Sequence, residues 1–202
     1  MKAIVCTTKD WKIGNEGRLL YHIPEDMERF RKLTSEHRRQ GTNWLSSVVM
    51  GRKTFESLPG KQPLPNRQNF VISSSLKQED YPSNVFIVPS IKKFTESSIW
   101  KNDIWCIGGG SIYEQLLSYC TECYVTRVLE DRPDATDVMP DLEAYNPKFE
   151  LECMLGIRHS VDKLSDKELS YRFEYWVNPT LYFCCCENRK EIRYDNMIRT
   201  CC

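Results

Sequence analysis

The chain has no net charge, with 28 Lys and Arg set against 28 Asp and Glu in 202 residues. A broad positive field of the kind that holds nucleic acid or an anionic membrane is therefore excluded, and any anion site must be local. Long apolar runs are missing too. The opening stretch from Met1 to Cys6 gives way at once to Thr-Thr-Lys-Asp. That is too short for the apolar part of a secretion signal and far too short to span a bilayer, so a cytoplasmic protein is expected. No internal repeat is present. The ten cysteines fall below the density of a disulfide scaffold, and five of them (Cys184, Cys185, Cys186, Cys201 and Cys202) crowd into the last nineteen positions. The others, Cys6, Cys106, Cys120, Cys123 and Cys153, mostly lie in apolar stretches where a reduced thiol acts as a small core hydrophobe.

What remains is a globular composition, 41% hydrophobic and 28% charged, of a length that suits one domain plus extensions. Such a chain buries roughly 70% of its unfolded surface. Short apolar runs at Lys2–Thr7, Ser47–Met50, Gln68–Ile72, Val85–Val88 and Ile104–Ile107 suit buried strands. Amphipathic or capped segments at Pro24–His37, Thr54–Leu58, Ser90–Ser97 and Ser111–Leu117 suit helices, the first with Met27, Phe30 and Leu33 on one face. Residues 8–23 are expected to form a long loop. Strand and helix in alternation imply a mostly parallel sheet. Three further runs, Cys123–Glu130, Phe149–Arg158 and Leu169–Val177, follow without helices between them, so the sheet is expected to finish antiparallel.

Three segments can carry chemistry. Ile107-Gly108-Gly109-Gly110-Ser111-Ile112-Tyr113 passes from strand to helix through three glycines, which let a ligand approach the backbone where a helix begins. Met50-Gly51-Arg52-Lys53-Thr54 has the same grammar with two cations at the helix start. Each, taken alone, is more often a tight turn or an exposed basic first turn than a phosphate site. In the third, Ile23-Pro24-Glu25-Asp26, a first-turn acid commonly does no more than complement the helix dipole. Asp26, however, stands one turn ahead of Phe30 and is expected to face the sheet, where desolvation would suit it to proton chemistry or to gripping a cationic heterocycle. Glu25 is expected to point to solvent.

In order along the chain, Ile13-Gly14-Asn15-Glu16-Gly17, Ile23 to Phe30, Val49 to Ser57, Pro63 to Arg67, Ile107 to Gly110 with Tyr113, and Tyr124-Val125-Thr126 resemble dihydrofolate reductase over roughly residues 1 to 177. The resemblance implies an α/β fold with a twisted mixed sheet, mostly parallel with an antiparallel C-terminal part and flanked by helices. It also implies hydride transfer from NADPH to pterin C6 of dihydrofolate, with protonation at N5. By the same correspondence Asp26 is the active-site carboxylate and Thr126 the hydroxyl that braces it. Ile4 and Ile107 offer backbone carbonyls to the pterin and nicotinamide edges, Phe30 and Leu58 pack the substrate rings, and Arg67 clamps the substrate's α-carboxylate. Gly108, Gly109 and Gly110 form the cofactor turn, with a peptide between the first two that resembles a cis bond, and Ser111, Ile112 and Tyr113 follow it. Gly51, Arg52, Lys53, Thr54 and Ser74 surround the pyrophosphate and 2′-phosphate, which favours NADPH over NADH, and Gly14 and Leu19 lie on the loop over the cofactor.

The family's Leu-Pro-Trp is here Leu19-Leu20-Tyr21, so the Tyr21 hydroxyl is expected to replace the indole N–H in a water relay, unless Tyr21 is a surface aromatic. The acidic and hydroxyl pair of the family stands in reversed order or shifted register at Thr136-Asp137, with no role assigned to it. The expected organisation is a reductase-like domain over 1–178 and a Cys-rich tail over 179–202, in which Leu181-Tyr182-Phe183 could begin one more strand. Adjacent cysteines lack the spacing of zinc motifs, and no metal is expected. A monomer acting on a small molecule, with no nucleic-acid or membrane partner, completes the expectation. The alternatives are a same-fold reductase of a riboflavin-pathway pyrimidine and a non-catalytic folate or nucleotide binder.

Overall fold

The computed structural model describes residues 1–35, 45–97 and 104–181. In chain order these form β1 (Lys2–Thr7), β2 (Lys12–Asn15), β3 (Arg18–Leu19), α1 (Pro24–Ser35), β4 (Ser46–Gly51), α2 (Arg52–Ser57), β5 (Arg67–Ile72) and β6 (Val85–Val88). Then follow α3 (Ile91–Glu96), β7 (Ile104–Cys106), α4 (Gly110–Leu116), β8 (Glu122–Val128), β9 (Asp137–Val138), β10 (Glu150–Met154), β11 (Arg158–Val161) and β12 (Glu168–Val177). The expected helix to His37 is seen to Ser35, and His37, the cysteines of the tail and the possible strand at Tyr182-Phe183 lie outside the described residues.

The main sheet runs β10-β12-β8-β1-β7-β4-β5-β6, with β11 also paired to β12. From β8 to β6 every pairing is parallel, and β12 joins β8 antiparallel. The expected mixed sheet is therefore observed. Alternation along its strands sorts the core. Ala3, Val5, Val49, Ile104 and Cys106 face α3 and α4, while Ile4, Val48, Met50 and Trp105 face α1 and α2. The carboxyl ends of β1, β4 and β7 all emerge at one edge, where ligands of open parallel sheets bind.

Two expectations are corrected. Residues 8–23 are not simply a long loop, because β2 pairs with β3 and with β9 in a separate antiparallel sheet. The run Phe149–Arg158 is not one strand. It carries a bulge between Leu151 and Cys153, leaves the ladder after Met154, and resumes on the same partner where Arg158 meets Tyr171. Among the described residues no helix is long and apolar enough to cross a membrane. Cys6, Cys106, Cys120, Cys123 and Cys153 carry free thiols.

Candidate functional site

Helix α1 opens with Pro24, whose fixed φ suits a first helical position. Its buried stripe is Asp26, Arg29, Leu33 and Thr34, with Phe30 half-buried beside it. Met27, expected on the inner face, is only partly covered. Asp26 is 5% exposed and accepts a 2.5 Å hydrogen bond from Thr126 Oγ1 of β8. Register explains the meeting: Thr126 lies beside Cys6 of β1 and Phe173 of β12, and Tyr124 beside Ile4 and Tyr175. Burial raises the Asp26 carboxyl above its ordinary range, against the Thr126 bond and the Arg29 guanidinium, which pull it down. Glu25 is not free in solvent as expected. Its carboxylate accepts from Tyr171 of β12 and from Arg158 of β11, which ties the start of α1 to the antiparallel part of the sheet.

The residues expected around the substrate converge on the same face. Phe30, Leu58 and Ile107 pack in one cluster with Ile4. The Ile4 carbonyl accepts a 2.7 Å bond from the buried Tyr113 hydroxyl. Arg67 begins β5 and is buried, donating to Thr34 Oγ1 at 2.7 Å and to the Pro65 carbonyl at 3.0 Å. Its guanidinium stands 5.8 Å from the Phe30 ring centroid. Sequence reasoning missed Thr34. Its signal was a hydroxyl on the stripe that begins with Asp26.

The two glycine-led segments are one structure. Gly51 N–H donates to the Gly108 carbonyl at 2.8 Å, and Ile107 N–H to the Val49 carbonyl at 3.0 Å. A methyl group at Gly51 would stand 3.0 Å from the Ile112 side chain, and one at Gly109 would stand 3.4 Å from Thr54 Oγ1. Gly108 has φ +96°, and a Cβ there would sit 2.6 Å from the Tyr113 ring, so only glycine fits. The Gly108–Gly109 peptide is cis. Gly110 lies against β9, since its Cβ would come within 2.3 Å of the Val138 carbonyl oxygen. Ile112 is buried, whereas Ser111 is exposed and bonded by Gln115.

Beside this junction opens a cleft of about 1000 Å³ whose lining includes Gly17, Leu19, His22, Arg52, Lys53 and Ser57. Asp26 is outside that lining, closed off from solvent. Arg52 holds Glu56 at 2.9 Å one turn on, an exposed pair that adds little stability. Ser74 is exposed and does not line the cleft. Gly14 belongs to the small sheet, where a Cβ would meet Asp137 Oδ2 at 2.9 Å and the Arg18 carbonyl at 3.0 Å.

Thr136 and Asp137, without an expected role, prove to brace the β2–β3 hairpin. Thr136 Oγ1 accepts from Glu16 N–H and donates to Asn15 Oδ1, both at 3.2 Å, and Asp137 Oδ2 accepts from Gly17 N–H at 3.1 Å. Tyr21 is no surface aromatic. It is buried with Ile23, Val128, Tyr171 and Phe173, and its hydroxyl is closed off from solvent. Burial raises its phenol, against the pull of Arg132, whose guanidinium lies 5.7 Å from the ring centroid.

The family model described as dihydrofolate reductase matches residues 1–176. A Drosophila melanogaster protein named dihydrofolate reductase is 32% identical over 133 residues, covering 63% of this chain and 72% of that protein. One of the same name from Candida albicans is 26% identical over 174 residues, 82% of this chain and 90% of that one. A Mycobacterium tuberculosis (strain ATCC 25618 / H37Rv) protein, again so named, is 38% identical over 118 residues, 57% of this chain and 63% of that one.

Proposed function

Because the chain belongs to the dihydrofolate reductase family, we propose that it reduces 7,8-dihydrofolate to 5,6,7,8-tetrahydrofolate with NADPH as reductant. The observation that carries this reading is the buried Asp26–Thr126 pair, a carboxylate closed off from water on the face where Ile4, Phe30, Leu58 and Ile107 meet. When bound, the reduced nicotinamide supplies a hydride to pterin C6. The protein must supply alignment and a route for one proton to N5.

Asp26 accepts hydrogen bonds from the pterin's ring nitrogen and exocyclic amine, and Thr126 holds the carboxylate in place for them. Its burial favours uptake of a proton, which water passes on to N5, with the Tyr21 hydroxyl as the relay's second anchor. Arg67, fixed by Thr34 and Pro65, offers its guanidinium to the substrate's α-carboxylate, and Phe30 and Leu58 pack the rings.

The residues present fit the cofactor. The joined turns at Gly51 and Gly108 leave backbone bare of side chains, and two cations stand at the adjoining cleft. Gly109, Gly110, Ser111, Ile112 and Thr54 would hold the pyrophosphate, Arg52, Lys53 and Ser74 the 2′-phosphate, and Gly14 and Leu19 would cover the nicotinamide end, while Tyr113 supports the glycine turn from beneath through its bond to the Ile4 carbonyl. The same reading has residues 1–178 acting as a single-chain enzyme in the cytosol, in keeping with the balanced charge and free thiols.

The test follows NADPH absorbance in the near ultraviolet with and without dihydrofolate. Rapid oxidation only with both is expected. The double variant Arg52→Ala, Lys53→Ala is expected to raise KM for NADPH at least tenfold and leave NADH oxidation unchanged. Folded protein that binds both ligands without turnover would overturn the proposal.

A further inference from the structure

A buried arginine shares the inner face of α1 with the active-site carboxylate. Arg29 follows Asp26 by three residues, so the two side chains are neighbours on the helix. Arg29 is 6% exposed, and its guanidinium carbon lies 4.4 Å from the Phe173 ring centroid and 5.6 Å from that of Tyr124. Those rings flank the Asp26 contact, because Phe173 pairs directly with Thr126 and Tyr124 is two residues before it on the same strand face. A charge taken this far from water costs several kcal/mol unless something compensates it. Aromatic faces supply part of that compensation, and an opposite charge one turn away supplies more.

We propose that Arg29 is a positioning residue for the proton step: held between Phe173 and Tyr124 one turn from Asp26, it sets its positive charge against the cost of burying that carboxyl and so sets the pH at which turnover falls. This rests on the reading of Asp26 as the proton-handling group. Other groups among the described residues bear on that carboxylate. Glu25, on the same helix, carries a like charge, but Arg158 of β11 and Tyr171 of β12 hold it. His22 precedes the helix, and Cys6 faces Asp26 from β1 as a half-buried thiol held protonated by desolvation and by that neighbouring carboxylate. Tyr171 faces Asp26 from β12 as a neutral phenol, its proton held by burial and by Glu25. Around Arg29 itself stand Tyr124, hydrogen-bonded to Glu122, and the buried Cys123. Burial drives the Asp26 carboxyl up, and Arg29 acts in the opposite direction.

The test is a ¹³C titration of aspartate carboxyls in the full-length protein, with the Asp26 signal identified by its loss in Asp26→Asn. The variants are Arg29→Met, which keeps volume, Arg29→Gln, which keeps polarity and reach, and Arg29→Lys, which keeps charge. Loss of folding in one neutral variant then leaves the other. The expected result is an upward move of the Asp26 midpoint by about one pH unit in the neutral variants and little movement in Arg29→Lys. The pH at which hydride transfer falls by half should move with it. An unmoved midpoint in the neutral variants, or an equal shift in Arg29→Lys, would overturn the proposal, since the effect would then be absent or due to packing. If the midpoint moves as expected while Asp26→Asn turns over like the parent protein, the effect of Arg29 on the carboxyl stands, but the proton-handling assignment of Asp26 fails and with it the part of Arg29 in the proton step.

Discussion

Replacing Asp26 with asparagine should damage turnover and stabilise the fold, and the stabilisation should depend on pH in a defined direction. The carboxyl is buried, and burial raises it above its ordinary range. The folded state thus holds a proton that the unfolded chain releases. Relative to a neutral side chain, the aspartate does no harm below about pH 4, where both states are protonated. As pH climbs from there through the raised folded value, the parent protein loses stability at up to about 1.4 kcal/mol per pH unit, and the loss then levels off. Asparagine has no such charge, and its carbonyl can still accept from Thr126, which now donates at 2.5 Å. For a chain of this size about 1 kcal/mol moves Tm by roughly 2–4 °C. Melting the two proteins side by side from pH 4 to pH 8 should therefore show curves that coincide in acid and separate by several degrees above it, with the variant higher. Hydride transfer at pH 7 should meanwhile fall by about 10²- to 10⁴-fold, the usual reach of a positioned proton carrier. A Tm difference that stays constant across the range, or a variant that melts lower at pH 8, would refute the argument from desolvation.

Gly110→Ala should lower Tm by several degrees, because the new methyl group would meet the Val138 carbonyl oxygen at 2.3 Å, a backbone contact, and overpacking costs about 1–3 kcal/mol. Gly156→Ala, with nothing within 4 Å of the added atom, should change Tm by less than one or two degrees in the same melting experiment. Thr34→Val removes the hydroxyl that holds Arg67 at 2.7 Å, a bond to a charged group worth about 1.5–3 kcal/mol. Steady-state kinetics should show KM for dihydrofolate rising about tenfold or more with kcat little changed. A pteridine lacking the glutamate should bind as before, and an equal loss for both would separate the effect from Arg67.

The parallel sheet was legible because its strands, buried on both faces, are continuous apolar runs. Val85–Val88 matches to the residue, and Ser47–Met50 falls one residue short at each end. The small sheet was not, since Arg18–Leu19 and Asp137–Val138 are two-residue strands with polar or exposed side chains and no periodicity to detect. The buried stripe of α1 misled for a different reason. It contains an aspartate and an arginine, so a pattern that equates inward with apolar selects Met27 and passes over Arg29. The fate of Glu25 depended on Arg158 and Tyr171, more than 130 residues away, and no local signal announces such partners. Each glycine-led segment was ambiguous alone, and only the register of β4 against β7 shows that they are halves of one cradle.

The order of the main sheet also bears on how the chain is made. Strand β1 leaves the ribosome well before its two neighbours, β7 and β8, which begin at Ile104 and Glu122. For roughly 100 residues of synthesis, some 5–20 seconds at ordinary elongation rates, both of its hydrogen-bonding edges have no native partner. The carboxylate's brace, Thr126, arrives later still. The sheet's centre is thus completed after most of its flanking elements, and a nascent chain held by a chaperone at Lys2–Thr7 would be guarded where an open edge invites aggregation.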